Sequence, residues 1–150
     1  MDGAFKRRWK WEYVPIDYTD ASSFVIKLND QLSYPWDEFL MRINKKIAFD
    51  LHSGAKQLGN RFVNPDTKVI SLDEFVNKVV FYLFNDAYKN EDTFGLYFFN
   101  KDEDSDEVML FENIFDYSQD QVSLCKNFIE RLTDDINIDD YLRFKANRQE

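Results

Sequence analysis

The sequence predicts a mainly α-helical body with minor β structure, and three observations carry that expectation. Three segments place apolar residues at helical spacing, glycine (4) and proline (3) are scarce, and aromatic residues make up 17% of the chain. At 150 residues and 18.0 kDa the chain fits one ordinary domain. Roughly two-thirds of the unfolded surface is buried at that size, enough for a genuine core.

The first segment, Met1–Ile16, combines a short helical turn over Ala4–Arg8 with Trp9, Trp11, Tyr13 and Ile16, spaced mostly by two. Pro15 near its end suits a strand running to a sheet edge. No long partner follows, since the next β-like run, Phe24–Leu28, is short, so this strand is an orphan. A domain boundary is therefore expected near Tyr18–Ser23, with 1–20 as the end of one unit and 21–150 as a helical unit.

A helix is expected from about Pro35 to Phe49, with Ser33 as a cap and Trp36, Phe39, Leu40, Ile43 and Ile47 along one face. Asp50–Asn64 reads as a loop, and Pro65-Asp66 as a turn. Ser71-Leu72-Asp73-Glu74 is a capping box that opens a second helix to about Asp86. Its apolar stripe, from Leu72 and Phe75 through Val79 to Leu83, predicts the centre of the core. Phe94–Asn100 and Val108–Phe115 read as the arms of a short β-hairpin with an acidic tip at 102–107. A third helix is expected over Ser118–Leu132, followed by an acidic tail and a mixed Tyr141–Glu150 end.

Composition excludes several functions. A net charge of −9 opposes non-specific adhesion to nucleic acid or to anionic membrane, and no direct nucleic-acid site is evident. No apolar stretch reaches the length of a membrane span, and no signal peptide is seen, so a cytoplasmic protein is expected. Cys125, the single cysteine, falls in an apolar helical pattern and is expected in the core. The chain carries neither a phosphate loop nor a dinucleotide fingerprint nor a zinc-protease motif. His52 is the lone histidine, and its neighbours Asp50 and Ser53 are too close in sequence to supply the separate roles of a hydrolytic triad.

The run Asp2-Gly3-Ala4-Phe5-Lys6-Arg7-Arg8-Trp9-Lys10-Trp11-Glu12-Tyr13 resembles the stretch of AAA+ NTPases in which an arginine-finger helix leads into the last strand of the nucleotide-binding sheet. The paired arginines before an aromatic strand are most similar to McrB-type restriction motors. The order of a helix, a Lys56-Gln57-Leu58-Gly59 loop and a capped helix then resembles the helical lid that follows that strand. The likeness covers roughly Asp2 to Asp86.

The resemblance implies that one of Arg7 and Arg8 reaches the γ-phosphate held by a neighbouring subunit of a ring, while the other holds the subunit interface. Solvated arginines paired with Asp2 or Glu12 are the plainer alternative. It also implies that Lys56, Gln57 and Gly59, with Arg61 a weaker candidate, lie over the nucleotide of their own subunit; a simple connector loop is again the alternative. Ala55 stands where an acidic residue is usual in such a loop.

The implied cofactor is ATP or GTP with Mg²⁺ in the complete motor, and none for the isolated chain, because the phosphate loop and Mg²⁺-binding acid are not in this sequence. The implied partners are a preceding phosphate-loop part of the same motor, neighbouring subunits and a McrC-like nuclease of DNA restriction. The chain is accordingly expected to be the truncated C-terminal piece of a longer subunit. A different class of function remains open at this point. A free-standing acidic interaction protein could present Asp102–Glu107 and Asp134–Asp140 as a mimic of nucleic-acid phosphates.

Overall fold

The computed structural model describes residues 24–52, 55–59, 62–63, 65–89, 91–102, 104, 107–116 and 120–138. The expected turn and strand over 4–16, the boundary near Tyr18–Ser23, Arg7, Arg8, Arg61 and the end of the tail lie outside these residues. The described chain is mainly α with minor β, as the sequence predicts.

The β-like run at Phe24–Leu28 contains a central strand. β1 (Val25–Lys27) pairs antiparallel with β2 (Ser33–Pro35) and parallel with β3 (Val69–Ser71). Ile26 sits opposite Tyr34 on one side and Ile70 on the other, and both isoleucines are buried. Asn29 closes the β1–β2 turn, its Oδ1 accepting from the amides of Gln31 and Leu32 at 2.8 Å each.

The first long helix, α1 (Trp36–Leu51), starts directly after β2. Its N-cap is Pro35, and Ser33 lies in β2 opposite Lys27, which corrects the expectation that Ser33 caps this helix. The reason is the sheet: pairing with β1 draws Ser33 into an extended ladder before the helix can begin. Trp36, Phe39, Leu40, Ile43 and Ile47 are buried along one face, as their spacing predicts.

Helix α2 opens at Leu72–Glu74, where the Ser71 hydroxyl accepts from the Glu74 amide at 3.2 Å. It continues through π-helical turns at Phe75–Val80 and Leu83–Ala87. The wider winding is visible in the Tyr88 amide, which donates to the Leu83 carbonyl five residues back at 3.0 Å.

The expected hairpin is not formed. Phe94–Asn100 falls within and just past helix α3 (Asp92–Phe99), and the second arm enters a short helix, α4 (Asn113–Asp116). An aromatic run this short is ambiguous between the two periods, and tertiary packing decides it: Phe94 and Phe98, four residues apart, both face the core. Phe94 stacks on Tyr88 at 4.8 Å and meets Phe84 edge-on at 4.9 Å. Helix α5 (Gln121–Asp135) packs across α1 and α3 and buries Cys125, Phe128, Ile129 and Leu132.

Gly95 has a steric role. A Cβ at this position would lie 2.3 Å from the Met109 carbonyl oxygen, so the absence of a side chain lets the chain after α3 pack directly on the helix. Gly95→Ala should therefore lower unfolding stability by about 1–3 kcal/mol despite alanine's better helix propensity, as read from urea denaturation. An unchanged or raised midpoint would mean that this close approach is not a constraint.

Candidate functional site

The loop after α1 carries the residues singled out from the sequence, and it is fastened from below. Among the described residues the core takes in one polar side chain, Asn44. Its Oδ1 accepts from the Leu58 amide at 2.7 Å, and its Nδ2 donates to the Leu58 carbonyl at 2.8 Å. One side chain thus satisfies both backbone groups of a buried residue fourteen positions away. Gln57 adds a third bond, its Nε2 donating to the Asn44 carbonyl at 3.0 Å. Sequence reasoning passed over Asn44; its signal was a lone amide on the apolar face of a helix.

Lys56 is tied at both ends. Its carbonyl accepts from the Tyr82 hydroxyl at 2.9 Å, and its ammonium lies 3.1 Å from the Asp86 carboxylate. The first contact is half-buried and fixes the backbone. The second is between groups about half exposed, so it holds the side chain only weakly and leaves the charge free to exchange partners. Gly59 is exposed, does not adopt a left-handed conformation, and would have nothing within 4 Å of an added Cβ. The fold itself thus makes no demand for glycine at this position.

Beside the loop, the π-wound stretch of α2 forms one wall of an open cleft of about 570 Å³. Phe62, Asn77, Lys78, Phe81, Tyr82 and Asn85 line it, together with Asp86, the partner of Lys56. Phe62 meets Tyr82 edge-on at 5.0 Å. Of the loop residues, Lys56 is the one tied to the cleft's lining, through Tyr82 and Asp86, while the Gln57 side-chain amide turns inward to Asn44.

A second polar cluster sits where α1, α3 and α5 meet. The Lys46 ammonium lies 3.9 Å over the Tyr97 ring and 3.0 Å from Asp50, which also accepts from the Tyr88 hydroxyl at 2.7 Å. Arg131 donates to the Tyr97 carbonyl at 2.7 Å, and the Tyr97 hydroxyl donates to Asp135 at 2.9 Å. These groups satisfy one another, so the cluster acts as a polar latch at the helix junction. His52 is elsewhere: it terminates α1 in a left-handed conformation, exposed, with no triad around it among the described residues.

No family model, curated protein or solved structure matches this chain. Among the described residues no helix is long and apolar enough to cross a membrane, and no three His, Cys, Asp or Glu side chains are grouped to hold a metal ion.

Two predictions follow from this geometry. Asn44→Asp keeps the acceptor for the Leu58 amide but removes the donor for its carbonyl and buries a charge. It should lower stability by about 1–3 kcal/mol and speed hydrogen exchange at the Leu58 amide, the loop loosening first.

The second concerns alkaline pH. Burial, followed by the hydrogen bond to Asp50, raises Tyr88 above its ordinary 10.0. Burial and the bond to Asp135 raise Tyr97 in the same way, and burial pushes the Cys125 thiol from 9.0 up to about 12. Groups raised in the fold favour their neutral forms there. Their contribution is complete below the unfolded values and is lost as pH climbs through the folded ones. Urea midpoints should fall from about pH 9 upward, and Tyr88→Phe should flatten that fall.

Proposed function

We propose that this chain supplies the arginine-finger segment and the helical lid of an AAA+ NTPase of the McrB-like restriction type. The observation that carries the reading is the Lys56–Gly59 loop. It is held by both backbone groups of Leu58, the Gln57 amide and the Lys56 carbonyl, yet it leaves the Lys56 ammonium half exposed, paired with Asp86 of the neighbouring cleft. A loop positioned so firmly while it presents a cation and an open glycine suits close approach of an anionic ligand.

The sequence order supports the same reading, since the arginine pair Arg7-Arg8 precedes an aromatic strand-like run, a helix, this loop and a capped helix. In the complete motor, ATP or GTP with Mg²⁺ would lie between the lid and a phosphate-loop part. Lys56 would contribute a point charge toward phosphate, Gln57 would hold the loop to α1, and Arg61 is the further cation of the same stretch. Arg7 or Arg8 would extend to the γ-phosphate in the neighbouring subunit, where a guanidinium neutralises charge developing on the transferred group. The work of such a ring would be to drive a McrC-like nuclease in a cytoplasmic DNA-restriction system.

The test is kinetic. The 150 residues alone should hydrolyse neither ATP nor GTP, because they contain no phosphate loop. When this sequence is joined to a phosphate-loop part, Arg7→Ala or Arg8→Ala should reduce turnover by about 10³–10⁵ while sparing nucleotide binding. Normal turnover in both variants, or strong turnover by the isolated chain, would refute the assignment.

A further inference from the structure

Residues 108–116, between α3 and α5, display apolar side chains on a backbone held by hydrogen bonds and packing. Phe111 and Ile114 are buried, and the Met109 carbonyl packs against Gly95. Asn113 closes the turn. Its Oδ1 accepts from the Leu110 amide at 2.8 Å, its amide donates to the Leu110 carbonyl at 3.0 Å, and its Nδ2 donates to Asp116 at 3.0 Å.

With the backbone held this way, Val108, Leu110 and Phe115 point outward, 62%, 52% and 50% exposed. Phe81 of α2 joins them at 50% exposure, its ring 5.2 Å from Phe111, which lies 5.5 Å from Phe115. Phe81 and Phe115 thus flank the buried Phe111, whose ring meets both, and the three rings form a row from α2 to α4. Exposed apolar residues scattered singly are ordinary, but Phe81 and Phe115 on either side of one buried ring, with Leu110 next to that ring in sequence, make an apolar strip on a pinned backbone.

Its surroundings define what it can accept. From Asp102 to Asp116 the chain carries seven carboxylates and no Lys, Arg or His. Among the described residues Asp104, Glu107, Glu112 and Asp116 are exposed. The cations on either side in sequence are drawn to acids, Lys101 to Glu107 at 3.8 Å and Lys126 to Glu130 at 2.7 Å, as is Lys78 of α2 to Glu74 at 3.7 Å.

We propose that this strip is the docking surface for a basic amphipathic segment of a partner protein. The partner's apolar face would cover Phe81, Leu110 and Phe115, and its Lys or Arg residues would meet the flanking carboxylates. A second copy of this chain is disfavoured as occupant, because a two-fold contact would set the same acidic rim against itself. An anionic lipid surface is disfavoured for the same reason. A surface ordered before binding loses little conformational entropy when it is covered, which suits it to this role.

The experiment measures fluorescence anisotropy of a labelled leucine/lysine amphipathic helical peptide titrated with the full 150-residue chain at several salt concentrations. Saturable binding that weakens with salt is expected. The pair Leu110→Ser/Phe115→Ser should weaken it at least about tenfold, as should Asp104→Lys/Glu112→Lys. Asp30→Lys/Asp66→Lys, an equal charge change at exposed positions elsewhere in the sequence, should alter it by no more than about twofold. All the replaced side chains are exposed, and circular dichroism checks that each variant folds.

Three results would overturn the proposal. These are the absence of saturable binding, an equal loss in the Asp30/Asp66 pair, and sedimentation of the chain as a dimer that Leu110→Ser/Phe115→Ser dissolves. The last would assign the strip to a second copy.

Discussion

Phe128 is the contact on which the arrangement of helices depends. Its ring lies 6.0 Å from Phe39 of α1, 5.7 Å from Phe94 and 5.0 Å from Phe98 of α3, with Tyr97 at 6.2 Å. One side chain of α5 thus joins three helices far apart in sequence. The edge-on geometry of several of these pairs suits ring quadrupoles, and it fixes orientation more closely than aliphatic packing would. The same network extends through Phe84 and Phe94 to α2, and through Phe39 to Phe75 at 5.2 Å.

That aromatic body gives the Lys56–Gly59 loop a rigid floor. Asn44 lies on α1 between the buried Ile43 and Ile47, so its amide is presented where water cannot compete for it. In such surroundings a hydrogen bond left unmade is expensive, and the Leu58 backbone meets both of the amide's requirements. The other wall is α2, where wider winding carries Tyr82 to the Lys56 carbonyl and Asp86 to its ammonium. The loop is therefore held by both α1 and α2, which also meet through Phe39 and Phe75 and through the Tyr88–Asp50 hydrogen bond.

Charge is distributed by the same logic. The cations Lys46 and Arg131 are consumed at the helix junction, by Asp50 and the Tyr97 ring in one case and by helix-end carbonyls in the other. Carboxylates in excess are left at the surface, among them Asp102, Asp104, Glu107, Glu112 and Asp116 between α3 and α5. There they border exposed aromatic rings, a combination that a net charge of −9 does not reveal. The polar latch lies at the junction of α1, α3 and α5, while Phe81 is shared between the cleft beside the pinned loop and the acidic apolar strip.

The sequence by itself determined the helices whose apolar stripes are long enough to carry a period. α1 and α5 bury the faces their spacing names, Ser71 caps α2, and Cys125 lies in the core. It also marked 50–64 as a loop, because turn chemistry is local, whereas Lys56, Gln57 and Gly59 stood out within it only through the family resemblance. Only the tertiary structure decided the rest. Phe94–Phe99 is helical because Tyr88, Phe84 and Phe128 receive its rings, and a short aromatic run has no period of its own to impose. Ser33 joined a strand because β1 was there to pair with it. Asn44 became the loop's anchor through a contact across fourteen residues, and no local pattern in a sequence encodes which distant backbone a buried amide will meet.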